Sequence, residues 1–299
     1  MSSPGKVHHP VIIEAAINGA RDKRNNINVP VSADEIFDCI NACVQAGASI
    51  IHAHAGQPIV GAGGHHDTAV YREAFARALE RHPGLLLYPT LPGGGLDTTM
   101  AQRLAHVIEL SREGLAGMVP VDPGTMNFGH VSRDGRPPVS DRVYQTTFAD
   151  TDWAFAHCRR EGMPCTISVF EPGFVRLVDA HYRAGTLPRC ALIKLEFCTG
   201  DLLFGLTPDQ HGLQGWLNLF DHDALAWMVT LRNGNVNDQL AELAIARGGH
   251  VRVGLEDYRG SDSPTNENLV AAAVKLATKL GRRPARLDEV RDLITRKNQ

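Results

Sequence analysis

The chain has 299 residues, a net charge of -3 from 30 Lys and Arg against 33 Asp and Glu, and 43% hydrophobic residues. Acids and bases are interspersed, which excludes a basic face for nucleic acid or an anionic membrane surface, and no run reaches the roughly 18 apolar residues of a membrane span. Six cysteines show no C-x-x-C pair and the N-terminal MSSPGKVHHP has no apolar signal core, so a reduced, cytoplasmic protein is expected.

In chain order, a strand-length apolar run over 11–17 is followed by a helical pattern over 33–45, opened by the capping-box pair Ser32 and Glu35. A second strand over 49–54 precedes a helix over 68–81, and a third over 85–90 precedes one over 98–112. Strands over 117–122, 165–170, 191–197, 226–231 and 250–256 follow, with helices over 153–160, 173–184, 237–247 and 266–280 between or after them. Gly47, Gly84, Gly162, Gly185 and Gly281 stand where helices should stop. Near-continuous apolar strands separated by helices indicate a parallel sheet covered on both faces. Eight such units close most simply into an α/β (β/α)8 TIM barrel, a single domain over 1–299 of ordinary size for that fold. An open doubly wound sheet fits the alternation too, but its G-x-G-x-x-G fingerprint is missing. The tail over 287–296 reads as an extra C-terminal helix packed on the outside.

Polar residues gather at the C-terminal ends of these strands, where such a barrel carries its active site. They are His52 and His54 on the second, Thr90 on the third, Asp122 on the fourth and Glu171 just past the fifth, then Glu196 on the sixth and Glu256 with Asp257 on the eighth. Residues two apart on a strand share a face, so His52 and His54 project side by side, as do Arg252, Gly254 and Glu256. Two imidazoles and a carboxylate suffice to hold a divalent metal and leave room for a substrate, although the same histidines also fit a hydrogen-bonded barrel mouth. Arg252 inside a barrel needs a carboxylate, which Asp257 or Glu14 can supply. The pair reads as a general base held ionised, or as a structural ion pair. The loop 90–95, with Gly93 and Gly94, and the segment 233–237 can present backbone N–H groups to an anion, or be plain turns. His8, His9, His65, His66, His130, His211 and His222 read as solvated loop residues, and Trp153, Trp216 and Trp227 as packing.

Five stretches then add a resemblance: Ala15-Ala-Ile-Asn-Gly19, Ile51-His-Ala-His54, Pro123-Gly-Thr-Met-Asn-Phe-Gly129, Phe170-Glu-Pro-Gly173 and Gly248-Gly-His-Val-Arg-Val-Gly-Leu-Glu-Asp257. In these, and in their order, the chain resembles the β-keto acid cleavage enzymes, the family that includes 3-keto-5-aminohexanoate cleavage enzyme. The resemblance implies a TIM barrel holding one zinc ion through His52, His54 and Glu256, with open positions for water or substrate. It implies that a β-keto acid and the co-substrate acetyl-CoA give acetoacetate and a CoA thioester two carbons shorter than the acid. By the same analogy Asp257, held by Arg252, takes a proton from the acetyl-CoA methyl group, and zinc polarises the ketone of the keto acid. A homotetramer is suggested as well.

The chain departs from that enzyme in the residues expected to line the substrate. Arg21 stands after Asn-Gly where the enzyme has an acid, Thr90-Leu-Pro-Gly93-Gly94 replaces Ser-Thr-Gly-Gly, and Pro120-Val-Asp122 replaces Thr-Leu-Asn. Acidic positions on the fifth strand become Thr166 and Ser168, and Leu231-Arg-Asn-Gly234 replaces Gly-Ile-Gly-Arg. A cation at Arg21 is expected to disfavour an amino-bearing substrate and suit a neutral or carboxylate-bearing one, unless Asp122 neutralises it. Two other readings use the same barrel. One is a metal-dependent hydrolase or aldolase-type enzyme; hydrolases of this kind usually carry H-x-H on the first strand with further histidines later. The other is a non-catalytic protein that binds acyl-CoA or metal and has no need of Asp257.

Overall fold

The structure, a computed structural model, describes residues 9–55, 67–93 and 98–296. Eight parallel strands occupy Ile13–Ala16, Ile50–Ala53, Leu86–Pro89, Val119–Val121, Cys165–Val169, Ala191–Cys198, Ala226–Arg232 and His250–Val253, one in each expected run. Neighbours pair in chain order from the first strand to the third and from the fourth to the eighth, and the first also pairs with the eighth through Ile13–Val251 and Ala15–Val253. The third and fourth strands meet where Gly117 N–H donates to the Leu87 carbonyl at 2.9 Å. The sheet thus closes into a TIM barrel.

Strand alternation sorts the residues into two sets. One set, including Ile13, Ile51, Leu87, Val119, Ile167, Ile193, Val229 and Val251, joins the buried layer under the surrounding helices. The other faces the barrel axis. Its lowest members, Ile12, Ile50, Leu86, Met118, Leu192 and Met228, form an apolar plug. The next members up are Glu14, His52, Tyr88, Lys194 and Arg252, all buried and nearly all polar. The axis therefore changes from apolar to ionic toward the C-terminal ends of the strands.

The tail forms a 3-10 turn Leu287–Glu289 and a helix Val290–Ile294, but its expected place on the outside is corrected. Val290 and Ile294 pack with the apolar plug and seal the N-terminal end of the barrel. Burying these side chains against the open end of the plug removes apolar area that a helix on the outside would leave wet.

Other elements follow their local chemistry. Helix Ala33–Ala46 carries the full Ser32–Glu35 capping box and ends at Gly47 in the left-handed conformation. The helix expected over 153–160 starts earlier, at Phe148, because Thr147 and Asp150 cap it. The one expected over 98–112 breaks at Leu104 into Met100–Arg103 and Ala105–Arg112. Two elements were not anticipated. Helix Gln210–Leu217 contains two glycines that lower its propensity, and buried Leu213 and Trp216 hold it in place. The loop after the fourth strand contains a short antiparallel ribbon, Met126–Asn127 with Val143–Tyr144. Among the described residues no helix is long and apolar enough to cross a membrane, and all six cysteines are free thiols.

Candidate active site

His52, His54 and Glu256 converge at the C-terminal end of the barrel, their ligand atoms all within 4.8 Å of one another. Glu256 Oε2 lies 3.2 Å from His52 Nε2 and 3.7 Å from His54 Nε2. Ligands at about 2 Å around a tetrahedral ion stand about 3.3 Å apart, so the spacing fits one divalent metal. Among the described residues this is the one such cluster. Among the described residues the buried Glu256 Oε2 has no hydrogen-bond partner, an atom that calls for a cation. His52 Nδ1 bonds the Tyr88 carbonyl at 3.2 Å, which requires the proton on Nδ1 and leaves Nε2 as a lone-pair donor. The Tyr88 ring stacks on the same imidazole, with centroids 4.6 Å apart. Burial drives the His54 pKa down to about 3, so this imidazole is neutral at ordinary pH and open to a metal.

Two glycines and one asparagine build the cradle. The eighth strand ends at Val253, earlier than expected, because Gly254 takes a φ of +136 and turns the chain out of the ladder. A Cβ there would lie 2.1 Å from the Ala16 carbonyl oxygen, so any other residue would clash. Strand parity alone would send the adjacent Glu256 and Asp257 to opposite faces. The turn instead brings both into the site, anchored by Glu256 N–H on the Ala16 carbonyl at 3.1 Å. Gly19, also at positive φ, lies where a Cβ would be 2.3 Å from Glu256 Cγ. Asn18 clips His54 from both sides: its Oδ1 accepts from His54 N–H at 2.8 Å and its Nδ2 donates to the His54 carbonyl at 3.0 Å.

Below and beside the triad runs an ionic network. Arg252 donates from Nε to Asp257 Oδ2 at 2.7 Å and from Nη1 to Glu14 Oε1 at 3.1 Å, and its Nη2 forms an ion pair with Glu256 Oε1 at 2.8 Å. Both carboxylates named as possible partners are used. Lys194 Nζ donates to Tyr88 OH at 2.9 Å, and Tyr88 OH in turn donates to Glu14. Burial pushes the Glu14 carboxyl up, but Lys194 and Arg252 outweigh it and hold it below the usual range. Asp257 follows the same pattern: burial raises it, and Arg232 with Arg252 brings it lower than an ordinary carboxyl. Thr230 Oγ1 donates to Asp257 Oδ2 at 2.9 Å, which fixes that oxygen further.

Arg232 is a member of the site that sequence reasoning missed. Its Nε lies 3.0 Å from Glu196 Oε2, and its Nη1 lies 2.8 Å from both Glu256 Oε1 and Asp257 Oδ1. Parity with Thr230 would have found it, had the seventh strand been read one residue further.

The expected substrate-lining positions fare differently. Thr90 is buried at the end of the third strand, its carbonyl bonded by His106 Nε2 at 2.9 Å. At Gly93 a side chain would meet none of the described residues, whereas Gly94, His8, His65 and His66 lie outside the described residues. Asp122 does not meet Arg21. Its Oδ2 accepts from Tyr144 OH at 2.5 Å, and Arg103 donates to the same hydroxyl at 2.8 Å, so the ribbon is latched to the fourth strand. Arg21 donates to the Tyr258 carbonyl at 2.6 Å and to Asn233 Oδ1 at 3.4 Å, with no carboxylate among the described residues bonded to it. It borders a cavity of about 410 Å³ lined also by Asn25, Asn26, His130 and Arg259. Away from the site, His9 is exposed as expected and meets the buried strand residue His250 edge to face, and Trp153 is a surface residue lying on His157 while Trp216 and Trp227 are core.

A parallel barrel with a His-His-Glu cluster that could hold a metal and a clamped aspartate at its C-terminal end has the layout of a barrel enzyme with a candidate metal site. The model of the beta-keto acid cleavage enzyme family matches residues 10–295, and the chain belongs to that family. It is 30% identical to 3-keto-5-aminohexanoate cleavage enzyme of Fusobacterium nucleatum subsp. nucleatum, over 96% of this chain and 98% of that one. It is 27% identical to 3-dehydrocarnitine:acetyl-CoA trimethylamine transferase of Rhizobium meliloti, over 96% and 97%. It is 26% identical to 3-oxoadipate:acetyl-CoA acetyltransferase of Cupriavidus necator, over 95% and 94%. Among solved structures it is similar to ObcA in a binary complex with oxaloacetate, at a TM-score of 0.63 and 17% identity, over 89% of this chain and 67% of that one. That last likeness speaks for the fold.

Proposed function

We propose that this enzyme holds one zinc ion in the His52–His54–Glu256 cradle and transfers CoA from acetyl-CoA to the acyl part of a β-keto acid, with release of acetoacetate. The observation that carries this reading is the buried, unpartnered Glu256 Oε2 facing two imidazole nitrogens beside a clamped aspartate. Bound there, a divalent ion supplies Lewis acidity that polarises a carbonyl. Asp257 is the general base, and Arg252 and Thr230 orient it through Oδ2. A carboxylate held low in pKa is a weak base, so the carbon acid must be activated for the transfer to be fast.

Atom balance moves the proton abstraction from the acetyl-CoA methyl group, where the family analogy put it, to the keto acid. An acetyl-CoA carbanion adding to the ketone cannot yield acetoacetate by breaking one carbon–carbon bond. If Asp257 takes a proton from the carbon between ketone and carboxylate, that carbon can bond to the acetyl carbonyl. The thiolate then passes from the acetyl carbon to the ketone carbon. The original bond between the ketone carbon and its neighbour breaks, its electron pair staying on the neighbour, which recovers the proton from Asp257. The products are acetoacetate and the shortened CoA thioester.

Arg21 supports a substrate whose far end is neutral or carries a carboxylate. With Asp122 engaged by Tyr144, the alternative that it neutralises Arg21 has no support, and a substrate ammonium would face an arginine bonded to no acid among the described residues. A 3-oxodicarboxylate such as 3-oxoadipate fits this charge better than 3-keto-5-aminohexanoate.

Metal analysis of the purified protein, joined to a screen of β-keto acids with acetyl-CoA, tests the reading. One zinc per chain, acetoacetate formation and its loss on chelation are expected. Substrate hydrolysis without CoA would replace the proposal with the hydrolase alternative, and no turnover by metal-loaded protein would replace it with binding alone.

A further inference from the structure

We propose that Arg232 is a two-position latch on the general base, covering Asp257 Oδ1 as the structure shows it and swinging onto Glu196 when the keto acid engages the base. The inference deepens the cleavage reading and rests on it. The two oxygens of Asp257 are held unequally. Oδ2 is fixed by Arg252 Nε at 2.7 Å and Thr230 Oγ1 at 2.9 Å, both on buried side chains. Oδ1 has Arg232 Nη1 at 2.8 Å and a long 3.4 Å contact from Arg252 Nη2. Oδ1 is therefore the oxygen that can take a proton from carbon, and Arg232 is the group that must leave it first.

Arg232 also has somewhere to go. Its Nε already sits on Glu196 Oε2 at 3.0 Å, whereas Glu196 Oε1 is buried with no hydrogen-bond partner among the described residues. Rotation about the Nε contact would place Nη2, which takes part in none of the contacts above, on Oε1. That completes a two-pronged guanidinium–carboxylate fork and withdraws Nη1 from Asp257. Arg232 is freer to move than its neighbour: its side chain is 22% exposed against 1% for Arg252. Withdrawing Nη1 also gives up its 2.8 Å hydrogen bond to Glu256 Oε1, but that oxygen keeps its ion pair with Arg252 Nη2 at 2.8 Å, so the cradle retains one of its two arginine contacts while the latch moves. Arg232 is thus a positioning residue for Asp257.

The test follows deuterium exchange at the carbon between ketone and carboxylate of acetoacetate, without CoA, by NMR. Zinc content and unfolding midpoint are measured on each variant. Glu196→Gln offers one acceptor where the fork needs two, so the latch stays on Asp257 and exchange slows at least tenfold with zinc content and KM unchanged. Adding Arg232→Met removes the cover, so the double variant should exchange faster than Glu196→Gln alone. A merely structural Arg232 would make the double variant worse than either single one, and that result overturns the latch. So does exchange at the wild-type rate in Glu196→Gln. Should Arg232→Met fail to fold, Arg232→Lys in the same background, which cannot span both carboxylates, takes its place with the same expected rescue. A crystal complex with zinc and acetoacetate should show Arg232 forked on Glu196, and Arg232 still on Asp257 there overturns the proposal. Wild-type protein that neither accelerates exchange nor forms acetoacetate refutes the cleavage reading itself, and the latch with it.

Discussion

The two ends of this barrel are built from the same alternation of residues and solve opposite problems. At the N-terminal end the axis is filled by Ile12, Ile50, Leu86, Met118, Leu192 and Met228, and the chain's own tail closes it with Val290 and Ile294. At the C-terminal end the axis carries Arg232, Arg252 and Lys194 against Glu14, Glu196, Glu256 and Asp257. Buried ion pairs contribute little net stability because desolvation offsets their attraction. An apolar plug contributes about 25 cal/mol for each Å² it removes from water. The molecule thus concentrates stability at one end and chemistry at the other, where the unpartnered Glu256 Oε2 and Glu196 Oε1 are tolerated.

That division can be broken from either side. Asp257→Asn removes the base while keeping its shape, and turnover should fall by about 10²–10⁴-fold with the fold and zinc content retained. Loss of zinc or of cooperative unfolding in this variant would show that the ionic end is structural. At the other end, Ile294→Ala should cost about 2–4 kcal/mol in denaturant unfolding with kcat unchanged well below the midpoint. A kcat loss as large as that of Asp257→Asn would deny the separation.

Arg21→Glu sharpens the comparison within the ionic end. The ratio of kcat/KM for 3-oxoadipate over 3-keto-5-aminohexanoate should fall by about tenfold, or about 1.4 kcal/mol. An unchanged ratio removes Arg21 from substrate selection. The smallest effect lies off the barrel axis, at the cap of helix Ala33–Ala46. Lys23 and the amides of Val31 and Ser32 hold the Glu35 carboxyl at about 2. A depressed carboxyl adds stability above its unfolded value of 4.5, and that stability is lost as pH falls toward 2. Glu35→Gln should flatten this acid limb by less than about 1 kcal/mol, since the pair is largely exposed. Unfolding curves from pH 6 to 2 give the measurement, and an unaltered limb refutes the assignment.

The amino-acid sequence by itself determined the elements that depend on near neighbours. Apolar runs bounded by capped helices gave all eight strands, because parallel strands covered on both faces need side chains that are apolar nearly throughout. His52 and His54 were legible as a pair since a strand repeats every two residues. Tertiary structure decided what depends on segments far apart in the chain. Asp257 enters the site beside Glu256 because Gly254 turns against Ala16. Glu14 meets Arg252 across 238 residues of sequence. Tyr144 reaches Asp122 through an unforeseen ribbon, and the tail lies beneath the barrel instead of around it. Each of these is a contact between surfaces that exist only once the barrel has closed, and local periodicity carries no record of them.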